Sequence, residues 1–140
     1  MIEVLAIKSN VHLGQIEFFG FEPSAPSELI DYMMVRLRDE GLQAQARVYV
    51  GDTASLEEFL ADLAAHWSGW EGTKSWSSLE GEINLECTHD GYGHVTIVAD
   101  LKAGTYPRDW HVRMVVPTEP GQLDRLSREA KSFFNGRCFS

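Results

Sequence analysis

The sequence lacks any apolar run that approaches the roughly 20 residues needed to cross a bilayer as a helix. Its first residues, Met1-Ile2-Glu3-Val4, also lack the basic region and the apolar stretch of a signal peptide. The two absences together predict a cytoplasmic protein.

Cysteine is scarce, because the chain contains only Cys87 and Cys138. Two cysteines so far apart do not make a disulfide framework. Cys87 alternates in step with Ile83 and Leu85, so we expect it to be a small buried hydrophobic residue. With 140 residues and 44% hydrophobic content, the chain can bury a core without disulfides or a metal. We expect residues 1–140 to form a single domain.

The common catalytic and nucleotide-binding motifs are missing as well. The chain has no P-loop, no G-x-S-x-G and no C-x-x-C. Gly91-x-Gly93 precedes a predicted strand, whereas the glycines of a dinucleotide-binding motif open a helix. We therefore predict no catalytic residue, no metal and no cofactor, and we expect that the protein is not an enzyme.

Basic residues are almost absent from the middle of the chain. Residues 51–100 contain ten acidic residues and one basic residue, Lys74, whereas residues 101–140 contain four acidic and seven basic ones. The net charge of -9 is thus concentrated in the middle third. Such a field repels nucleic acid and anionic membranes and attracts basic surfaces, so we expect a basic protein partner, no nucleic acid and no membrane. A solvated acidic face that only aids solubility is the alternative.

What the sequence does contain is a regular series of strand and helix patterns. Strands are predicted over 2–7, 12–21, 32–38, 42–50, 82–88, 94–102 and 110–116. The order ββββ-α-βββ-α with short connections predicts an α+β fold: a mostly antiparallel sheet of about seven strands with two amphipathic helices packed on one face. The opposite face is then polar, with Glu82, Asn84, Glu86, Thr96, Asp100, His111 and Arg113 as its candidates.

The two helices have recognisable beginnings. Ser55 and Glu58 form a capping box, which predicts that the first helix starts at Ser55. Its apolar stripe ends in Trp67, which we expect to pack in the core, and Gly69 stops the helix. The second helix is predicted to begin near Pro120, a residue that suits the first helical position.

Three of the four tryptophans lie between His66 and Gly81. Trp70 and Trp76 stand there among glycine and serine without periodicity. They could pin a loop onto the sheet, form an aromatic platform for a sugar or small molecule, or act as exposed anchors beside acidic side chains for an arginine-rich partner. The candidate partner-binding residues are Glu57, Glu58, Asp62, Trp70, Glu71, Trp76 and Glu80.

A turn with two histidines offers an alternative function. His89, Asp90 and His94 could bind a metal or a small ligand, or supply a general base, which would make the chain a ligand-binding domain or an enzyme. Two histidines are too few for a structural zinc site, and the neighbouring Cys87 is expected to point into the core. Side chains that satisfy the backbone amides of the turn are the simpler interpretation.

Two further features leave alternatives open. Arg36, Arg38 and Arg47 lie on one predicted hairpin and could hold a phosphate, although cross-strand pairing with acidic residues is more typical. The strand from Val11 to Phe21 is apolar on both faces and could be the contact of a homodimer.

The motif Trp67-Ser68-Gly69-Trp70-Glu71-Gly72-Thr73-Lys74-Ser75-Trp76-Ser77-Ser78-Leu79-Glu80-Gly81, followed by Thr88-His89-Asp90-Gly91-Tyr92-Gly93-His94-Val95, resembles an uncharacterised family of small bacterial proteins. That family carries W-x-G-W-x-G-x-K-x-W-x-S-L-E-G, then T-H-D-G-x-G-H-V, then a final helix similar to 121–134. The resemblance covers most of 31–135 and implies no activity. Small acidic proteins of this kind are similar in type to immunity proteins that block toxin domains.

Overall fold

The computed structural model describes residues 3–22, 31–51, 53–103 and 109–135. Cys138 lies outside these residues. The elements follow in the order β1 (Val4–Lys8), β2 (Gln15–Glu22), β3 (Asp31–Asp39), β4 (Leu42–Gly51), α1 (Thr53–Ala65), β5 (Lys74–Ser77), β6 (Ile83–His89), β7 (Val95–Lys102), β8 (His111–Thr118), a 3-10 turn (Pro120–Gln122) and α2 (Leu123–Asn135).

The α+β class is confirmed, but the arrangement of the strands differs from the prediction. The described residues form two four-stranded antiparallel sheets, sheet A from β1–β4 and sheet B from β5–β8, instead of one sheet of about seven strands. In both sheets consecutive strands are neighbours, as short connections favour. The chain passes from sheet A to sheet B through α1, which lies between β4 and β5. The first strand of sheet B, β5, pairs with β6.

The strand that the sequence analysis missed is β5, inside the tryptophan-rich segment. It is four residues long, and Trp76 is its one hydrophobic side chain, so it carries no alternating pattern that predicts a strand. Pairing with β6 places Trp76 opposite Leu85 and Lys74 opposite Cys87. Tertiary pairing, and not local pattern, therefore makes this segment a strand.

One hydrophobic core joins both sheets and both helices. Its fully buried side chains include Leu5, Phe18 and Val35 from sheet A, Leu85, Ile97 and Leu101 from sheet B, and Leu56, Leu60 and Phe134 from the helices. The predicted burial of Cys87 is confirmed. The predicted position of Glu82 on the polar face is wrong, because its side chain is 5% exposed and accepts hydrogen bonds from Ser78 Oγ at 2.8 Å and from Tyr49 N at 3.2 Å.

Helix α1 begins earlier than the capping box predicts. It starts at Thr53, so Ser55 lies inside the first turn. The Ser55 hydroxyl instead accepts a hydrogen bond from the indole Nε1 of Trp76 at 3.0 Å. This bond fastens the beginning of α1 to the edge strand β5. The predicted role of Pro120 is confirmed, since it opens the 3-10 turn that leads into α2.

None of the helices formed by the described residues is long and apolar enough to cross a membrane.

Candidate partner-binding site

Trp67 is the residue whose position differs most from the prediction. Helix α1 ends at Ala65, two residues before Trp67, so the apolar stripe of the helix does not continue to this side chain. The side chain is 61% exposed instead of packed in the core. Fully solvated tryptophan is uncommon, because its large ring gains free energy when it is buried.

His89 holds the backbone that carries this exposed indole. Its Nδ1 accepts a hydrogen bond from Gly91 N at 2.8 Å, so the ring proton lies on Nε2, which donates to the Trp67 carbonyl at 2.9 Å. The same ring meets Trp70 edge to face, with 5.2 Å between the ring centroids. The turn after β6 is thereby tied to the segment after α1.

Trp70 is half-buried and fixed from two sides. Its indole Nε1 donates to the Cys87 carbonyl at 3.2 Å, and the ammonium of Lys74 lies 5.9 Å from its ring centroid. Both contacts come from neighbouring strands of sheet B. Trp70 therefore matches the interpretation of an aromatic residue that pins the loop.

Trp76 does not match the interpretation of an exposed anchor. It is 8% exposed, belongs to the core, and alternates with the exposed Ser75 and Ser77 along β5. Its one polar atom is bonded to Ser55. A partner cannot reach this indole on the folded protein, so Trp76 is not part of the candidate partner-binding surface.

Asp62 is an acidic candidate with local partners. Lys74 Nζ lies 2.8 Å from Oδ2, and His66 Nδ1 lies 3.2 Å from Oδ1. The Lys74 hydrogen bond lowers the pKa of the Asp62 carboxyl below its ordinary value, against an opposing contribution from burial. Much of the charge of Asp62 is thus compensated within the protein, and its contribution to an outward field is small.

The remaining acidic candidates have no ion pair with a described residue. Glu58, Glu71 and Glu80 are exposed and Glu57 is half-buried. They do not all converge, because Glu71 precedes β5 and Glu80 follows it. Glu71 and Glu80 therefore lie beyond opposite ends of β5.

The turn between β6 and β7 adds an aromatic residue that the sequence analysis did not select. Asp90 Oδ1 accepts from Tyr92 N at 2.7 Å and from His94 N at 3.1 Å, and Oδ2 lies 2.6 Å from His94 Nδ1. The Tyr92 amide is the main cause that lowers the pKa of the Asp90 carboxyl. Tyr92 at the tip is 88% exposed. The clue in the sequence was its position between two glycines.

We call Trp67, Trp70, Glu71, His89 and Tyr92 the aromatic end. His89 is the hub of this surface, since its ring bonds to Trp67 and touches Trp70 while Tyr92 follows in the same turn. The aromatic end exposes the indole of Trp67, the phenol of Tyr92 and the carboxylate of Glu71 to solvent. Chemically, it can stack on and neutralise cationic side chains.

The same geometry leaves the turn few free donor atoms for a metal. Both ring nitrogens of His89 are used in hydrogen bonds, and Asp90 is occupied by the turn amides and by His94. Across the described ranges, no three residues among His, Cys, Asp and Glu stand close enough together to hold a metal ion. Turn stabilisation accounts for both Asp90 and His89.

Fold and site together define an acidic α+β domain with an aromatic surface. The chain belongs to a family of unknown function, DUF6228, which matches residues 7–137. This agrees with the uncharacterised family inferred from the tryptophan motif. No curated protein gives a significant sequence match.

Among solved structures, "Structure of the plant transcriptional regulator PBF-2" is similar to this chain over most of its length. The two chains share 8% sequence identity with a TM-score of 0.43, over 96% of this chain and 82% of that one. A similarity at this level does not establish a common fold.

Proposed function

We propose that this protein is an acidic binding module that docks a basic protein partner through its aromatic end. The observation that carries the proposal is the 61% exposed indole of Trp67, whose backbone carbonyl accepts a hydrogen bond from His89. Exposed tryptophans that become buried on binding are frequent hot spots of protein interfaces. A held backbone reduces the entropy that binding costs.

Electrostatics indicates the chemistry of the partner. Glu71 and Glu58 are exposed and have no described ion pair, and the chain carries a net charge of -9. An acidic field accelerates encounter with a basic surface, and arginine side chains stack on indole rings. The partner that fits is a basic protein with arginines at its contact surface.

We propose further that this partner is a bacterial toxin domain and that the chain is its immunity protein. The support is the small size and the acidity of the chain. An inhibitor of this kind acts by occupying a functional surface, so it needs complementarity and no chemistry of its own. In this case we expect the partner to be encoded beside the gene for this chain.

The test measures binding to the basic protein encoded by the neighbouring reading frame. Trp67→Ala should weaken the complex by roughly 30-fold or more, as the loss of a hot-spot tryptophan does. Leu13→Ala is the matched control, because Leu13 is 74% exposed in the β1–β2 loop and lies outside the aromatic end. Equal affinities of the wild type and the Trp67→Ala variant would refute the proposed surface.

A further inference from the structure

The outer strand β4 leaves part of its backbone without a partner. Among the described residues β4 pairs with β3 and with no other strand, so one of its two edges faces away from sheet A. It is also the longest of the described strands, with ten residues. An unpaired edge of this length is a template for pairing with another chain, and natural proteins usually guard such an edge.

The contacts of Tyr49 show which backbone groups of β4 point outward. The Tyr49 carbonyl accepts a hydrogen bond from Leu79 N at 3.0 Å, and its N–H donates to Glu82 Oε2 at 3.2 Å, both in the connection between β5 and β6. Successive residues of a strand direct these groups alternately to one side and the other. The register with β3 is regular along this part of β4, so Gln43 and Gln45 also direct their N–H and C=O groups outward.

The residues before Tyr49 carry none of the devices that guard an edge. The segment Leu42-Gln43-Ala44-Gln45-Ala46 contains no charged residue, no proline and no glycine. The other outer strands are protected, because β1 ends in Lys8, β5 has four residues and begins with Lys74, and the β1–β2 loop bonds to β8. Charge, shortness and cover are the usual protections. We call the segment 42–46 the open edge.

The open edge is complementary to a second copy of itself. When two copies pair antiparallel with Ala44 opposite Ala44, Gln43 lies opposite Gln45 and Leu42 lies opposite Ala46 of the second copy. The paired glutamines are the residues with outward backbone groups, so each such pair forms two backbone hydrogen bonds. On the inner side Leu42, Ala44 and Ala46 are half-buried beside the core, and a large leucine meets a small alanine at both ends.

We propose that two copies of this chain form a symmetric dimer by pairing their open edges. The two four-stranded sheets A then join into one sheet of eight strands, with the two-fold axis between the Ala44 residues. The side chains of Gln43 and Gln45 are exposed on the outer face, where their amide groups can bond across the axis. The contact uses no residue of the aromatic end, so the proposal does not depend on the proposed function.

The small extent of the pairing sets the affinity. A protein interface of standard size uses about 20–30 residues of each partner, whereas the open edge offers five. We therefore expect a weak and reversible dimer with a dissociation constant on the order of 100 μM.

Sedimentation equilibrium from about 10 μM to about 1 mM measures the association of the wild type. The mass should rise from the 15.7 kDa of one chain toward twice that value. Over the same range the amide hydrogens of Gln43 and Gln45 should exchange more slowly, because they become bonded. The amide of Ala44, which points toward β3, is the internal control. A mass that stays at that of one chain up to about 1 mM would overturn the proposal.

Charges at the two glutamines test the register. The variant Gln43→Glu with Gln45→Glu places like charges opposite each other twice and should weaken the dimer by roughly 10-fold. The variant Gln43→Glu with Gln45→Lys places opposite charges there and should dimerise at least as tightly as the wild type. Lys131→Glu, at an exposed position of α2, changes the net charge as much as the first variant and should alter the affinity less than about twofold.

Far-UV circular dichroism and the thermal midpoint confirm that each variant is folded. Equal losses in the two double variants, or no loss in the variant with two glutamates, would show that the copies meet through another surface and would refute the proposed pairing. If the chain stays monomeric and the amides of Gln43 and Gln45 become protected only when a basic partner is added, the open edge takes a strand of that partner, and the dimer proposal fails.

Discussion

At the scale of single residues, the local surroundings of a side chain decide its chemistry. Cys87 faces the core from β6, and burial raises the pKa of its thiol to about 12. Asp62 and Asp90 are held ionised by donors, and the pKa of each carboxyl is lower than its ordinary value of 3.8. Burial thus raises the pKa of the thiol because it disfavours the thiolate, and hydrogen-bond donors lower the pKa of each carboxyl because they stabilise the carboxylate.

Cys87 should be inert toward thiol reagents in the folded protein. With a pKa of about 12, roughly one thiol in ten thousand is ionised at pH 8, and the reactive form is the thiolate. The measurement is the rate of reaction with a disulfide reagent in a Cys138→Ser variant, with and without denaturant. Complete labelling within minutes under native conditions would contradict the buried position.

Asp62 and Asp90 should contribute to acid unfolding. Because their folded pKa values are lowered, the unfolded chain binds protons more tightly, so the free energy of unfolding falls as the pH drops below about 4. In the double variant Asp62→Asn and Asp90→Asn this fall should be smaller. Urea unfolding between pH 2 and 5 measures it, with Asp124→Asn on α2 as the control, and an unchanged pH profile would argue against both contacts.

At the scale of elements, the β1–β2 loop connects the two sheets. Asn10 N donates to the Pro117 carbonyl at 3.1 Å. His12 accepts from Gly14 N at Nδ1, 2.8 Å away, and so donates from Nε2 to the Val115 carbonyl at 3.2 Å. The loop thereby covers part of the open edge of β8, an edge that otherwise favours pairing with another chain.

Gly14→Ala should loosen this connection. A Cβ at Gly14 would lie 2.4 Å from His12 Cε1, so the imidazole must move and lose its bond to Val115. We expect a loss of about 1–3 kcal/mol in the free energy of unfolding. Gly121→Ala is the matched control, because its Cβ meets nothing within 4 Å. Equal stabilities of the two variants would show that the His12 contact is unimportant.

The position of the predicted strand from Val11 to Phe21 in sheet A limits how it could form the contact of a homodimer. Its regular part, β2, pairs with β1 on one side and with β3 on the other. The backbone of an interior strand has no open edge for a second copy. A dimer through this strand would therefore need side-chain contacts from the outer face of sheet A, where the basic residues would repel one another.

At the scale of the whole molecule, charge is unevenly distributed. The outer face of sheet A carries the basic residues of 1–50, whereas 51–100 carries ten of the acidic residues. Four of those ten have local partners, namely Asp62, Glu82, Asp90 and Asp100. The exposed and unpaired remainder, and not the net charge, sets the field that a basic partner meets.

Charge reversal should therefore act on the association rate. Glu58→Lys with Glu71→Lys should slow association with the basic partner by roughly 10-fold at low salt and flatten its dependence on ionic strength. The dissociation rate should change less. Stopped-flow measurements across a salt series test this, with Asp124→Lys on α2 as the control. An association rate that does not respond to either residue would contradict electrostatic steering.

The sequence by itself determined the local features of this protein. Alternation and helical spacing predicted seven of the eight described strands and both helices, along with the burial of Cys87, because these patterns arise between residues close in the chain. The capping box at Ser55 suggested a beginning two residues too late, since the hydroxyl bonds instead to an indole 21 residues away.

Tertiary structure alone decided the features that depend on distant contacts. It divided the strands into two sheets, made a strand of Lys74–Ser77 by pairing it with β6, and buried Trp76 while it left Trp67 exposed. It also gathered four basic residues onto one face of an acidic protein. Each of these outcomes follows from which surfaces meet in three dimensions, and local periodicity does not encode that information.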